Sequence, residues 1–301
     1  RPTLISKYYY NLIEEANFIV KENYFKDQIV HLIINKIIID NSKNLEVISD
    51  QIKVNSFILE IKFICIKRSI INDLKNEFKR NNLIISNIFC SSYVKSLFYI
   101  NKLEVENNFI FLDIGYERSS AWYFKNNKLK FFNSINIGGD SITKDISKVL
   151  KVNINYSEEL KINFNQNENK NFYQNSINQF NLYTEIQEKN ISIGILKKII
   201  QARVDEIVEI IINQNDYFKK KYVLKKPNII FIGSGSKLLS NSLNLDTNIL
   251  FSKSIFFKET DSMICEAGYN YSKSGESRLI QSKDKLKRSG FFESFFNFFS
   301  N

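Results

Sequence analysis

The sequence predicts an α/β protein in two parts, and three features carry that expectation. Residues 1–90 run helix, strand, strand, helix, strand, the order of a small α+β unit. From residue 108 an almost fully apolar strand leads into a hairpin, a third strand, a Gly-Gly break and a helix, which together make a ribonuclease-H-like half-fold. A second short strand at residues 228–232, apolar from Ile229 on, reads as buried, follows a long helix and runs straight into a glycine-rich turn.

In chain order, residues 1–26 read as a helix from the spacing of Tyr9, Leu12, Ile13, Ala16 and Ile19. Two β-rich runs follow, 30–39 and 57–66, separated by a polar stretch with Asn41, Ser42, Asn44 and Asp50. Ile70, Ile71, Leu74 and Phe78 give residues 70–80 a helical period, and residues 83–88 read as another short strand. The strand 108–113 ends in Asp113-Ile114-Gly115, and 119–124 is the second strand. Asn126-Asn127 suits the positive φ of a two-residue hairpin turn before a third strand over 128–137. Gly138-Gly139 breaks it, and Ile142, Ile146, Val149 and Leu150 mark a helix. That order fits one lobe of an actin-like ATPase as well as a nuclease.

Residues 153–190 are crowded with Asn and Gln and read as an exposed, mobile subdomain edge rather than core. A long helix over 195–213 carries Leu196, Ile199, Ile200, Ile207, Val208 and Ile211. The basic run Lys219, Lys220, Lys221, Lys225 and Lys226 reads as a solvated loop. Pro227 opens the strand 228–232, residues 252–272 supply a last strand and helix, and 273–289 read as linker.

The 301 residues suffice for two ordinary domains, and 44% hydrophobic with 25% charged residues is globular composition. Lys and Arg exceed Asp and Glu to a net charge of +10. The abundance of Ile, Asn, Lys, Phe and Tyr reflects AT-rich codons, so this excess does not by itself imply nucleic acid. No apolar run reaches the roughly 18 residues of a membrane span. Cys65, Cys90 and Cys265 are too far apart for a CxxC or zinc pattern, which implies a reducing compartment. The single histidine, His31, lies in an apolar run and reads as a strand residue rather than a catalytic base. The chain opens on Arg1 instead of Met, which fits a fragment.

Four features have chemical meaning. Asp113 at a strand end, followed by Gly115, Ser119 and Ser120, is either a Mg²⁺ and phosphate site or an ordinary turn. Gly233, Ser234, Gly235, Ser236 and Lys237 would let a flat ligand or phosphate approach bare backbone, and a tight strand-to-helix turn needs the same glycines. Glu158 and Lys161 share a helix face, either bracketing a ribose or base or forming a surface ion pair. Finally, Phe291, Phe292, Phe295, Phe296, Phe298 and Phe299 fall within an arc of about 160° on a helical wheel. Lys283, Lys285, Lys287 and Arg288 precede them. An interfacial membrane helix has this pattern, and a helix packed on the protein's own core is the rival.

Several motifs, taken in order, resemble those of the FtsA family, bacterial actin homologues that tether the division ring to the membrane. They are residues 111–115 (Phe-Leu-Asp-Ile-Gly), 137–146 (with Gly138, Gly139, Asp140, Thr143 and Asp145), 157–161, 201–207 (with Arg203) and 232–238. The resemblance implies an actin-like, ribonuclease-H-like two-lobed fold with a small inserted α+β subdomain and an incomplete first lobe. It divides the chain into 1–90 (inserted subdomain), 91–107 (remnant of the first lobe), 108–272 (second lobe, with 153–226 peripheral), 273–289 (basic linker) and 290–301 (amphipathic membrane helix).

It also implies ATP with Mg²⁺ as cofactor, with Asp113, Gly115, Ser119 and Ser120 in the second phosphate loop and Asp113 on the metal. Gly138, Gly139 and Asp140 would join that cradle, Glu158 and Lys161 would lie by ribose and base, and Gly233 to Lys237 would form the adenosine loop. The implied partners are the FtsZ C-terminal peptide, further copies in a filament, and anionic lipid on the cytoplasmic face of the inner membrane at the division site. No nucleic-acid partner and no catalytic residue are implied.

Two departures stand out. Tyr116, Glu117 and Arg118 occupy positions where the family has two glycines and a threonine, and the family's first phosphate hairpin has no counterpart before residue 1. A scaffold with a regulatory or degenerate nucleotide site is therefore the leading expectation, with at most weak ATPase activity. An ATPase or sugar-kinase relative performing Mg-dependent phosphoryl transfer is the alternative. A nuclease needs several converging carboxylates, and Asp113 with Asp140 is the one available pair.

Overall fold

In the computed structural model the described residues are 3–40, 43–45, 53–103, 108–164, 193–215, 226–239, 254–257 and 259–273. The chain divides into two units, one of Arg1–Lys102 with Ser262–Asn301, the other of Leu103–Asp261.

The first unit begins with β1 (Thr3–Leu4) and α1 (Ile5–Asn23), followed by β2 (Asp27–Ile39), β3 (Lys43–Leu45), β4 (Lys53–Val54) and β5 (Phe57–Lys67). An antiparallel sheet runs β3-β2-β5, and β1 pairs with β4. Tyr9 and Ile13, one helical turn apart on α1, bury themselves with Leu32, Ile37, Ile39 and Val54. Helix α2 (Arg68–Arg80) then buries Ile71 alone, leaving Ile70, Leu74 and Phe78 exposed.

Residues 83–88 are not the strand their apolar run predicts. They form no regular element, and Leu83 and Ile84 are exposed. Among the described residues they pair with none of the three strands of the sheet. A short apolar run without period carries too little information to define a strand. Helix α3 (Ser91–Leu103) follows, with Tyr93, Val94, Tyr99 and Ile100 buried.

The second unit is a five-stranded sheet ordered β8-β7-β6-β9-β10, built from β6 (Asn108–Ile114), β7 (Ser119–Lys125), β8 (Lys128–Ile135), β9 (Asn228–Ile232) and β10 (Ser254–Phe256). β6, β7 and β8 form an antiparallel meander, whereas β9 lies parallel to both β6 and β10. This is the ribonuclease-H-like half-fold read from the sequence. Its hairpin turn holds Asn126 and Asn127 at φ 52° and 56°, which asparagine tolerates better than most residues.

β6 is buried on both sides, so its run of apolar residues is the expected signature of a central strand. Ile110, Leu112 and Ile114 pack under α4 (Gly139–Leu150), α5 (Ile154–Phe164) and α6 (Ile193–Val208), meeting Ile142, Ile146, Leu160, Ile200 and Val204. Phe109 and Phe111 point to the opposite face, where Phe109 stacks on Phe124. α6 runs on into a π-helical turn, Glu209–Asn213.

The start of the stretch read as an exposed edge is part of the core. Tyr156, Leu160 and Phe164 recur every fourth residue on α5 and are buried. The rest of that stretch, 165–190, lies outside the described residues, as do Lys219, Lys220, Lys221 and Lys225.

The last described helix, α7 (Asp261–Lys273), falls within the sequence-based range of the second lobe, yet from Ser262 it groups with the first unit. Tyr271 on it reaches the buried His31, with its hydroxyl 3.0 Å from Nδ1. The Cys90 N–H donates to Nε2 at 2.7 Å, so the ring proton sits on Nδ1 and is donated to Tyr271. Phe89 and Tyr93 complete an aromatic cage, and burial pulls the His31 pKa down to about 3. His31 is thus a neutral structural residue on β2.

Candidate functional site

Parallel β6 and β9 pair with Asp113 opposite Ile232, so the chain leaves both strands at the same edge of the sheet. In open α/β sheets, ligands bind beyond the carboxyl ends of such strands. Asp113 is buried there, beside the turn that begins at Gly233. Gly233 has φ +86°, and a Cβ built on it would lie 2.3 Å from Asp113 Oδ1 and 2.6 Å from the Ile114 carbonyl oxygen. The glycine is therefore required both by its backbone and by the close approach of β6. Ser236 closes the turn, donating from its hydroxyl to the Gly233 carbonyl at 2.7 Å. Gly235 lies against Ile114, while Ser234 and Lys237 are exposed on a 3₁₀ turn (Ser234–Leu239).

The turn after β6 sits on the amino end of α4. The Gly139 N–H donates to the Gly115 carbonyl at 2.9 Å and the Asp140 N–H to the Tyr116 carbonyl at 2.8 Å. Contact is so close that a Cβ on Gly138 would be 2.5 Å from the Tyr116 oxygen and 2.6 Å from the Gly115 oxygen. Ser119 Oγ donates to the Ile137 carbonyl at 2.7 Å, and Ser120 Oγ accepts from the Trp122 indole N–H at 2.8 Å.

α5 closes the group. Lys161 is buried, and Nζ donates to the Gly139 carbonyl (3.0 Å), Thr143 Oγ1 (2.7 Å) and Glu158 Oε2 (2.6 Å). Thr143 also donates to Glu158. An ammonium has three N–H bonds, and all are used here. Glu158 and Lys161 bolt α5 to the first turn of α4, and with the lysine buried they are not a surface ion pair. Above them, the Tyr116 hydroxyl donates to Asp140 Oδ1 at 3.2 Å, and its ring centre is 5.8 Å from Lys161 Nζ. Lys144 pairs with Asp140 at 2.5 Å. Its hydrogen bond holds the Asp140 carboxyl below the usual range, and the negative Asp140 pushes the Tyr116 phenol up.

The structure thus gathers Asp113, Gly115, Gly138, Gly139, Asp140, Glu158, Lys161, Gly233, Gly235 and Ser236 at one edge of the sheet. Ser119 and Ser120 lie at the start of β7, but their hydroxyls are committed to Ile137 and Trp122. Thr143 and Tyr116 join the site without having been singled out as ligands. Thr143 stands one helical turn beyond Gly139, which was the signal available for it. Lys285, Lys287, Arg288, Phe291, Phe292, Phe295, Phe296, Phe298 and Phe299 lie outside the described residues. Among the described residues no helix is long and apolar enough to cross a membrane, and no three His, Cys, Asp or Glu side chains cluster to hold a metal.

A family model described as "Cell division protein FtsA" matches residues 110–275, more than half of the chain. The chain belongs to the FtsA family. A curated FtsA of Streptococcus pneumoniae serotype 2 (strain D39 / NCTC 7466) is 26% identical over 178 residues, covering 59% of this chain and 38% of that protein. The match thus spans about two fifths of this relative's length. Among solved structures, the PilM-PilN type IV pilus biogenesis complex superposes with a TM-score of 0.51 at 13% identity, over 93% of this chain and 73% of that one. MreB5 of Spiroplasma citri bound to ADP gives 0.43 at 15%, over 72% and 69%. The archaeal actin homologue Ta0583 gives 0.40 at 15%, over 64% and 58%. The fold of this FtsA-family chain is actin-like α/β, as the sequence predicts.

A nucleotide at this edge would meet the turns after β6 and β9, and part of the polar lining there is bonded within the protein. Two backbone N–H groups of α4, the Ser119 hydroxyl proton and all three Lys161 donors already have protein acceptors.

Proposed function

We propose that this chain is a membrane-tethered actin-like scaffold of bacterial cell division that anchors the FtsZ ring to the cytoplasmic face of the inner membrane. The observation that carries the reading is the FtsA-family match over residues 110–275, which runs from β6 through the sheet and helices of the second unit. In this reading residues 1–90 are the inserted subdomain, 91–107 a remnant of the first lobe, and 108–272 the second lobe. Residues 273–289 are the linker and 290–301 the membrane helix, with Lys285, Lys287 and Arg288 on lipid headgroups and the six phenylalanines in the acyl boundary. Each buried Phe contributes at most about 1.5–3 kcal/mol and each nearby cation about 1 kcal/mol on anionic lipid. The protein self-associates into filaments, binds the FtsZ C-terminal peptide through its second lobe, and has a nucleotide site that is regulatory or degenerate.

Co-sedimentation with anionic liposomes, comparing the chain with one ending at Ser289, tests the tether. Binding is expected to vanish on truncation and to weaken with salt. Equal binding by both chains would return the phenylalanines to the protein core. Fluorescence anisotropy with a labelled FtsZ-tail peptide tests the partner, and a flat titration would refute it.

A further inference from the structure

Residues 274–301, with the basic run and the phenylalanines, follow α7 directly in sequence. That helix is weakly built for its length. Of its 13 residues Ala267 and Tyr271 are buried, whereas α3, of equal length, buries six. Gly268 stands in its middle with nothing within 4 Å of a built Cβ, which costs the helix backbone entropy and gains it no packing. A helix this short is marginal in water by itself, so α7 depends on what Ala267 and Tyr271 grip. Glu266 meets Lys102 at 3.4 Å, but both side chains are about half-exposed, and pairs of that kind contribute little.

The grip is concentrated at one end. Tyr271 sits two residues before the helix ends, and its ring packs edge-on against Phe89 at 4.9 Å and His31 at 5.2 Å. Its hydroxyl takes the Nδ1 proton of His31, which the Cys90 N–H holds from the other side. His31 belongs to β2, a strand paired along both edges, and Tyr93 to α3 with its own buried face. The socket is thus built from elements with packing of their own, whereas the helix that enters it has little besides the socket.

We propose that α7 is a releasable strap: it opens as one piece when Tyr271 leaves its socket, while the β3-β2-β5 sheet and α3 stay folded. A pull from residue 274 onward acts first on the turn that carries Tyr271. Helical, the 13 residues span about 20 Å, and extended they reach about 45 Å, so release lengthens the connection to the tail. The strap rests on these contacts alone. Its use as an adjustable tether rests on the membrane reading of residues 290–301.

The test is native-state hydrogen exchange on the full chain, read by mass spectrometry in low urea and without lipid. Amides of residues 265–273 are expected to be protected, yet to exchange about a hundredfold faster than those of β2. Urea should leave their rate nearly unchanged, because a local opening exposes little surface. G268A should slow this exchange about fivefold, since alanine favours the helix where its methyl touches nothing. Y271F keeps the ring but removes the acceptor of the His31 proton, and should speed the exchange about fivefold. Protection of α7 equal to that of β2, with the same urea slope, would overturn the proposal. So would an α7 with no protection, or one whose exchange neither variant moves. Should Y271F fail to fold, the wild type and G268A decide. Liposome co-sedimentation reports on the tail separately, so either reading can fail without the other.

Discussion

Replacing Gly233 by alanine tests the packing at the heart of the site. The added methyl meets two objections at once. At φ +86° an L-residue costs about 1–2 kcal/mol. Its Cβ would also lie 2.3 Å from Asp113 Oδ1 and 2.6 Å from the Ile114 carbonyl oxygen. The carboxylate can turn aside, but the carbonyl belongs to the central strand β6 and cannot move without breaking its pairing. Overpacking of this kind adds about 1–3 kcal/mol. The sum, about 2–5 kcal/mol, corresponds to a fall in Tm of about 4–20 °C for a domain of this size. Differential scanning calorimetry reads it directly. G268A is the control: Gly268 lies in α7 with nothing within 4 Å of a built Cβ. That substitution should hold or raise Tm, since alanine is favoured over glycine in a helix by about 1 kcal/mol. A G233A protein melting within a degree of wild type would refute the close approach of β9's turn to β6.

Three further outcomes are expected. The His31 pKa of about 3 lies below the ordinary 6.5, so the unfolded chain takes up the proton first. The stability from keeping His31 neutral is full above pH 6.5 and is lost as pH falls toward 3. Urea unfolding should therefore show about 2 kcal/mol lost between pH 7 and pH 5 that is absent in H31Q, and identical pH slopes would contradict the burial. K161M should cost about 1–3 kcal/mol in the same assay, because the hydrogen bonds to Gly139, Thr143 and the partly exposed Glu158 are lost, and E158Q/K161M should recover part of it. Arg203 grips Asp145 with two bonds, Nε to Oδ2 at 2.6 Å and Nη2 to Oδ1 at 2.8 Å, tying α6 to α4. R203K keeps the charge but loses the fork, so about 1 kcal/mol should disappear from chemical denaturation.

The central strand, the Asn126-Asn127 hairpin and the glycine turns were legible because each has a local cause: continuous burial, a positive φ, a forbidden Cβ. Residues 153–164 were not, since the Asn and Gln around them mask a period carried by Tyr156, Leu160 and Phe164 alone. Residues 83–88 misled in the opposite direction, an apolar run that pairs with no strand among the described residues. The site's residue types were legible but not their partners. A buried lysine has no sequence signature, for lysine is the side chain least expected inside, and the partners of Lys161 come from two different helices. Likewise the Ser119 hydroxyl is spent on Ile137, a contact created by the hairpin's return and invisible in a linear motif.

The sheet order has a consequence for how the chain assembles. β6, β7 and β8 are joined by short turns and can pair as soon as they exist. β9 must find β6 across about 120 residues, and closing a loop of that length costs about 4 kcal/mol of chain entropy before any contact rewards it. Parallel pairing of this kind is intrinsically late. Until it happens, Phe109 to Ile114 offers a bare apolar edge, the kind that templates aggregation. The Gly233 turn, which locks the returning strand against Asp113 and Ile114, therefore also closes off that exposed edge.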